Sequence, residues 1–160
     1  LFAAYLSGAN FTGADLFKAN FSCARLSSAN FTSVNLIGAK LSNTVLSSTD
    51  LRCMDLRRAD LASADLTDAT LNGANLDKAT LIGAKLTGAK LIGANFSNAT
   101  LTKSILNGAD LYGAKLIGAI DLTQEMLDSA WPSQPPKNLP EGLFWPFEEG
   151  ENGKWHLKPE

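Results

Sequence analysis

Large apolar residues recur at every fifth position from Leu1 to Leu116, giving 24 centres without a slip; twenty are Leu and four are Phe (Phe11, Phe21, Phe31 and Phe96). Two residues before each centre, from Ala4 to Ala114, stands a small residue, which is Ala in 18 of 23 cases. The exceptions are Val34, Thr44, Thr49, Met54 and Ser104. The position just before the centre is mostly Asn, Asp, Thr or Lys, and the two after it are polar or small, often ending in Gly. An α-helix advances ~100° per residue, so a pentad leaves a net rotation of ~140° and successive centres form no stripe. A straight strand fails too, because an odd period sends alternate centres to opposite faces.

The pattern predicts a chain that turns once per pentad, always in the same direction. Ala and the centre lie two apart and point the same way, as in a short strand. The turn at each junction then resets the direction, and Gly, Asn, Asp and Ser suit the φ > 0 or tight-turn backbone this needs. Such a chain is an all-β solenoid whose coils stack ~4.7–4.9 Å apart, with Ala lining the inner wall and Leu or Phe filling the middle. Burying one Leu contributes roughly 1.5–3 kcal/mol, whereas fixing each backbone residue costs roughly 1–2 kcal/mol. Coil-to-coil hydrogen bonds and the Ala column must supply the difference, so several coils are required. Val34, Thr44, Thr49 and Met54 replace inward Ala within about one coil, which predicts a distorted or slightly wider coil there.

The motif A-(D/N)-L-x-x, as in Ala14-Asp15-Leu16, Ala59-Asp60-Leu61, Ala64-Asp65-Leu66, Ala74-Asn75-Leu76 and Ala109-Asp110-Leu111, resembles that of the pentapeptide-repeat family over residues 1–118. The resemblance implies a right-handed quadrilateral parallel β-helix with four pentads per coil and about six coils. Charge stacking alone leaves the coil length open. A 20-residue coil pairs Lys40 with Asp60, Asp65 with Lys85 and Lys90 with Asp110; a 15-residue coil does worse, and a 25-residue coil gives more opposite pairs at the cost of Lys90 on Lys115.

Composition divides the chain in two. Residues 1–120 carry 11 Lys/Arg against 8 Asp and no Glu, a balance of +3, while residues 121–160 carry 3 Lys against 8 Asp/Glu, a balance of −5. All six prolines and all three tryptophans fall in the second part. We read 1–120 as the repeat β-helix and 121–160 as a C-terminal cap with an extended Pro/Trp-rich tail. Asp121 and Gln124 are spaced as a capping box for a helix of about 122–130, whose Leu122, Met126 and Leu127 form an apolar face. Asn152-Gly153 predicts a hairpin between 144–149 and 154–158. Phe144, Trp145, Phe147 and Trp155 either fold back on the solenoid or form the candidate partner surface.

The sequence offers little for catalysis. The single His, His156, lies in the tail, so no His-based metal cluster or Ser–His–Asp triad can form, and no phosphate loop occurs. The expected catalytic, cofactor and metal residues are none. Cys23 and Cys53, six pentads apart, fall on opposite faces of a four-pentad coil, so no disulfide is expected between them. Five Asn-x-Ser/Thr sequons, at Asn10, Asn20, Asn30, Asn95 and Asn98, are by-products of the repeat. Arg52, Arg57 and Arg58 cluster beside Asp50 and Asp55, which is a solvated surface rather than a phosphate track, so nucleic acid is not an expected partner. No apolar run reaches the ~18–20 residues of a membrane span. The chain starts at Leu1 in mid-repeat, as a fragment or processed product would, leaving a core edge for missing sequence, a partner or another copy to cover. The cytoplasm is the expected compartment, or the periplasm or thylakoid lumen if a leader has been removed. The expected function is a non-catalytic scaffold for an unidentified protein, as a monomer or an end-to-end homodimer, with no small-molecule substrate. The resemblance also raises a DNA-mimicking gyrase-binding role, but that requires a strongly acidic rod, and this one is slightly basic.

Overall fold

The computed structural model describes residues 1–130, 136–145, 147–149 and 155–157, the last two stretches as backbone only. Outside one seam, residues before a centre pair in parallel with the residue 20 positions later, as in Tyr5 with Arg25, Asn10 with Asn30, and so on to Thr100 with Ile120. Four pentads therefore complete one coil, and outward residues stack in four columns. Face A carries Tyr5, Arg25, Val45, Asp65, Lys85 and Ile105, and face B carries Asn10, Asn30, Asp50, Thr70, Lys90 and Asp110. Face C carries Asp15, Asn35, Asp55, Asn75, Asn95 and Lys115, and face D carries Asn20, Lys40, Asp60, Thr80, Thr100 and Ile120. The three opposite-charge pairs of the 20-residue register are thus neighbours.

A corner is a β-turn closed by a hydrogen bond from the following Ala N–H to the centre carbonyl, such as Ala64 to Leu61 at 3.0 Å. The second residue after the centre has positive φ at every corner from Ala3 to Gly118, ten times as Gly and fourteen times as another residue. The first residue after the centre does not, which makes these type II turns.

The backbone amides of a pentad can be accounted for one by one. The centre N–H and the N–H two residues on donate to carbonyls of the next coil, as Leu61 does to Thr80 (2.7 Å) and Ser63 to Ile82 (2.8 Å). The N–H before the centre donates to the previous coil, as Asp60 does to Ala39 (2.9 Å), and the Ala N–H closes the turn. The fifth, just after the centre, has no main-chain partner. Wherever Asp or Asn precedes the centre, its side chain accepts that amide; Ala62 N donates to Asp60 Oδ1 at 3.1 Å and Ser97 N to Asn95 Oδ1 at 3.1 Å. All twelve such residues do this. The Asp/Asn preference of the motif, which reads as generic surface polarity in the sequence, is an Asx-turn acceptor.

Inside, the centres and the Ala column form one continuous core from Phe21 to Leu116, whereas Leu6, Phe11, Leu16 and Ala19 of the first coil are only partly buried against it. Phe11 stacks on Phe31 one coil on, with ring centroids 5.3 Å apart.

The expected helix is shorter than its pattern suggested. Helix α1 spans Gln124–Asp128, and its N-cap is Thr123, whose Oγ1 accepts from Met126 N. The Asp121–Gln124 capping box does not form. Asp121 has φ +57, outside the extended region an N-cap needs, and its carboxylate accepts from Thr102 Oγ1 at 2.5 Å. Gln124 instead clamps the chain beyond the helix, donating to Phe144 O (3.1 Å) and accepting from Phe144 N (3.2 Å). Leu122, Met126, Leu127 and Ala130 join the solenoid core. Lys115 pairs with Lys137, extending the face C column past the repeats. Strands β1 (Phe147–Glu149) and β2 (Trp155–Leu157) pair antiparallel, with Glu148 opposite His156; the Asn152-Gly153 turn lies outside the described residues. No helix among the described residues is long and apolar enough to cross a membrane.

The corner geometry is testable at Gly93, where φ is +66 and an added Cβ would meet nothing within 4 Å. Gly93→Ala therefore isolates the backbone cost, and a loss of about 1–2 kcal/mol in denaturant unfolding is expected.

Candidate functional site: an opened seam

The repeat ladder fails at one place. Between the coil of residues 21–40 and that of 41–60, Asn30 and Asp50 do not pair, nor do Asn35 and Asp55, although Arg25–Val45 and Lys40–Asp60 on the same two coils do. The amides of Ser28, Phe31, Ser33 and Leu36 make none of the forward bonds that their counterparts make elsewhere, and those of Asp50 and Asp55 make none of the backward ones. The coils part on faces B and C and stay joined on D and A, forming a wedge. A recess of about 650 Å3 opens on face B, lined among others by Asn30, Phe31, Asp50, Arg52, Cys53 and Met54.

The cause lies in the inward column. On face C the small-residue positions run Ala14, Val34, Met54, Ala74, so two oversized side chains stack where the strand spacing suits Ala on Ala. Each is 7% exposed, whereas Ala74 is fully buried. Of the neighbouring polar substitutions, Thr44 lies on face A, where the coils stay paired, and its Oγ1 donates to Leu41 O (2.5 Å), whereas Thr49 lies on face B within the opened stretch, where its Oγ1 donates to Leu26 O (3.3 Å). The expected distortion of this coil is therefore present, and it takes the form of a one-sided opening.

The seam is rimmed by two exposed ion pairs that run within a turn. Arg52 Nη2 lies 2.6 Å from Asp50 Oδ2, and Arg57 Nη2 lies 2.7 Å from Asp55 Oδ2. Each guanidinium also donates through Nε to the same carboxylate. These hydrogen bonds hold the carboxyls of Asp50 and Asp55 below the usual aspartate range, against the opposing effect of burial. Two of the three clustered arginines, Arg52 and Arg57, are thus matched by the aspartate two residues before them.

Of the candidate partner-surface residues, the structure describes the side chains of Phe144 and Trp145. Trp145 is 5% exposed and belongs to the core, while Phe144 is 57% exposed. The side chains of Phe147 and Trp155 lie outside the described residues. Cys23 and Cys53 are both free and exposed. Among the described residues, no group of three or more His, Cys, Asp or Glu side chains is placed to hold a metal ion. A second recess, of about 380 Å3, lies between Lys103–Asn107 and α1, and the buried Ser104 Oγ beside it has no hydrogen-bond partner among the described residues.

A model of the family described as pentapeptide repeats matches residues 1–32, 29–68, 55–93 and 81–118. The chain belongs to the pentapeptide-repeat family. Among solved structures, the pentapeptide-repeat protein Rfr23 from the cyanobacterium Cyanothece 51142 is 28% identical, with a TM-score of 0.51 over 74% of this chain and 84% of that one. HetL from Nostoc sp. strain PCC 7120, described as involved in heterocyst differentiation regulation, is 37% identical over 81% of this chain and 64% of its own, with a TM-score of 0.30. QnrB1, a plasmid-mediated fluoroquinolone resistance protein, is 24% identical in a trypsin-treated form, with a TM-score of 0.48 over 86% of this chain and 76% of that one. No curated protein matches the chain.

Two predictions follow from the geometry of this pentapeptide-repeat seam. Leu66→Ala, at an intact coil, is expected to cost about 2–5 kcal/mol. Val34→Ala with Met54→Ala should cost less than about 1 kcal/mol, because lost burial is offset by up to six recovered hydrogen bonds at roughly 0.5–1.5 kcal/mol each. Chemical denaturation compares the two variants. Arg52→Gln should raise the Asp50 carboxyl pKa back towards the ordinary aspartate range, as read by NMR titration. Because the folded-state pKa of Asp50 is depressed, its pairing stabilises the fold above the unfolded pKa, and that contribution is lost as pH falls through the folded value. The group is exposed, so the change in stability will be small.

Proposed function

We propose that residues 1–120 form a right-handed quadrilateral parallel β-helix of about six coils, closed at the C-terminal end by α1 and the aromatic tail of 121–160. We read the whole as a non-catalytic scaffold that recognises a protein partner. The observation that carries this reading is the array itself. Four columns of outward side chains repeat every 20 residues on a backbone whose amides are paired almost throughout, so side chains are held at fixed spacing with little ordering entropy left to lose on binding. Membership of a repeat family with extended recognition surfaces supports it.

The columns also bear on gyrase mimicry. A DNA mimic needs carboxylates on successive coils, and no face column places two in adjacent coils; Asp65 is followed by Lys85, and Asp50 by Thr70. Among the described tail residues, Phe144, exposed beside α1, is available as a partner anchor.

The test is affinity capture from the native host with the intact protein, analysed by mass spectrometry with and without nuclease. A partner protein retained after nuclease treatment is expected. Capture that vanishes with nuclease, or turnover of a small molecule by the pure protein, would sink the reading.

A further inference from the structure

We propose that the seam is a docking slot for a short, extended, uncharged segment of a partner polypeptide, held by main-chain pairing with the two open rims. The proposal rests on the scaffold reading and specifies what form the partner takes. On face B the upper rim offers Ala29 C=O and Phe31 N–H on either side of Asn30, and on face C it offers Val34 C=O and Leu36 N–H on either side of Asn35. In the intact coils, such a pair receives the N–H and C=O of one facing residue; Ala39 O accepts from Asp60 N, and Leu41 N donates to Asp60 O. The lower rim offers the free N–H and C=O of Asp50 and of Asp55.

A ligand that satisfies a donor and an acceptor at this spacing must carry both, as a peptide unit does. A phosphate or a carboxylate has acceptors only and would face the rim carbonyls unfavourably. The rim charges are already matched as Asp50–Arg52 and Asp55–Arg57, so the slot does not attract a strongly charged ligand. The wall residue Met54 is flexible and polarisable, which suits an apolar side chain of varied shape. Addition of an extended segment to an open strand edge is a general mode of peptide recognition. Between the other repeat coils the facing edges pair with each other, so among the described residues the slot lies beside Val34 and Met54.

The experiment pans a random-peptide phage library on the intact protein and measures the selected peptides against Val34→Ala/Met54→Ala, which restores Ala to the column and closes the wedge. Selected peptides should bind the native protein at least about tenfold more tightly than the variant. Hydrogen exchange of the Phe31, Leu36, Asp50 and Asp55 amides should slow on binding, a readout that stands even if the double variant unfolds. The slot is refuted if no peptide is selected, if those bound bind both forms alike, or if the four amides keep exchanging freely. A host partner captured equally by both forms would refute the slot while leaving the scaffold reading intact.

Discussion

The structure depends on one constraint: a chain that turns every five residues must still find acceptors for its backbone amides. Three go to neighbouring coils and one closes the corner. The fifth is stranded on the outside, and Asp or Asn before the centre reaches forward to accept it, a bond that Ser or Thr makes more weakly. Inside, the constraint sets size. Stacking at the strand spacing leaves room for Ala at the position that faces its own counterpart one coil away. The pentad is therefore a unit of hydrogen-bond closure, and its apolar residues fill the space that closure leaves.

The same constraint shows why corners tolerate strain. Fourteen non-glycine residues hold positive φ at the turns, a conformation normally reserved for Gly and Asn. Each is bounded by coil-to-coil bonds on either side, so the backbone has no cheap alternative. Gly takes the same place without that strain, and at Gly88 a Cβ would also meet Asp68 Oδ1.

Much of this was legible in the spacing. A period of five excludes both regular elements, and the fold follows once a turn per pentad is allowed. Val34 and Met54 stood out as breaks in the Ala column, and that is where the ladder opens. The sequence could not show that the opening spares faces D and A, because this depends on which column two bulky residues share, and hence on a coil length that charge stacking left open. The role of Asp and Asn was hidden because an acceptor and a solvated polar residue look alike in one dimension. Spacing also misled at the helix. Asp121 and Gln124 satisfy the capping-box pattern, but the corner geometry persists through Asp121, and Thr102 takes its carboxylate. Trp145 illustrates the limit of composition, since the same aromatic cluster holds one ring buried and its neighbour Phe144 largely in solvent.

In a linear stack, cooperativity passes only through the contact between adjacent repeats. An interface missing six of its main-chain hydrogen bonds transmits less of that coupling. The molecule is then two thermodynamic segments sharing one backbone: a short amino-terminal one whose own core is only partly covered, and a longer one anchored on α1. A fluctuation on one side of the wedge is therefore passed to the other less readily than between two fully bonded coils.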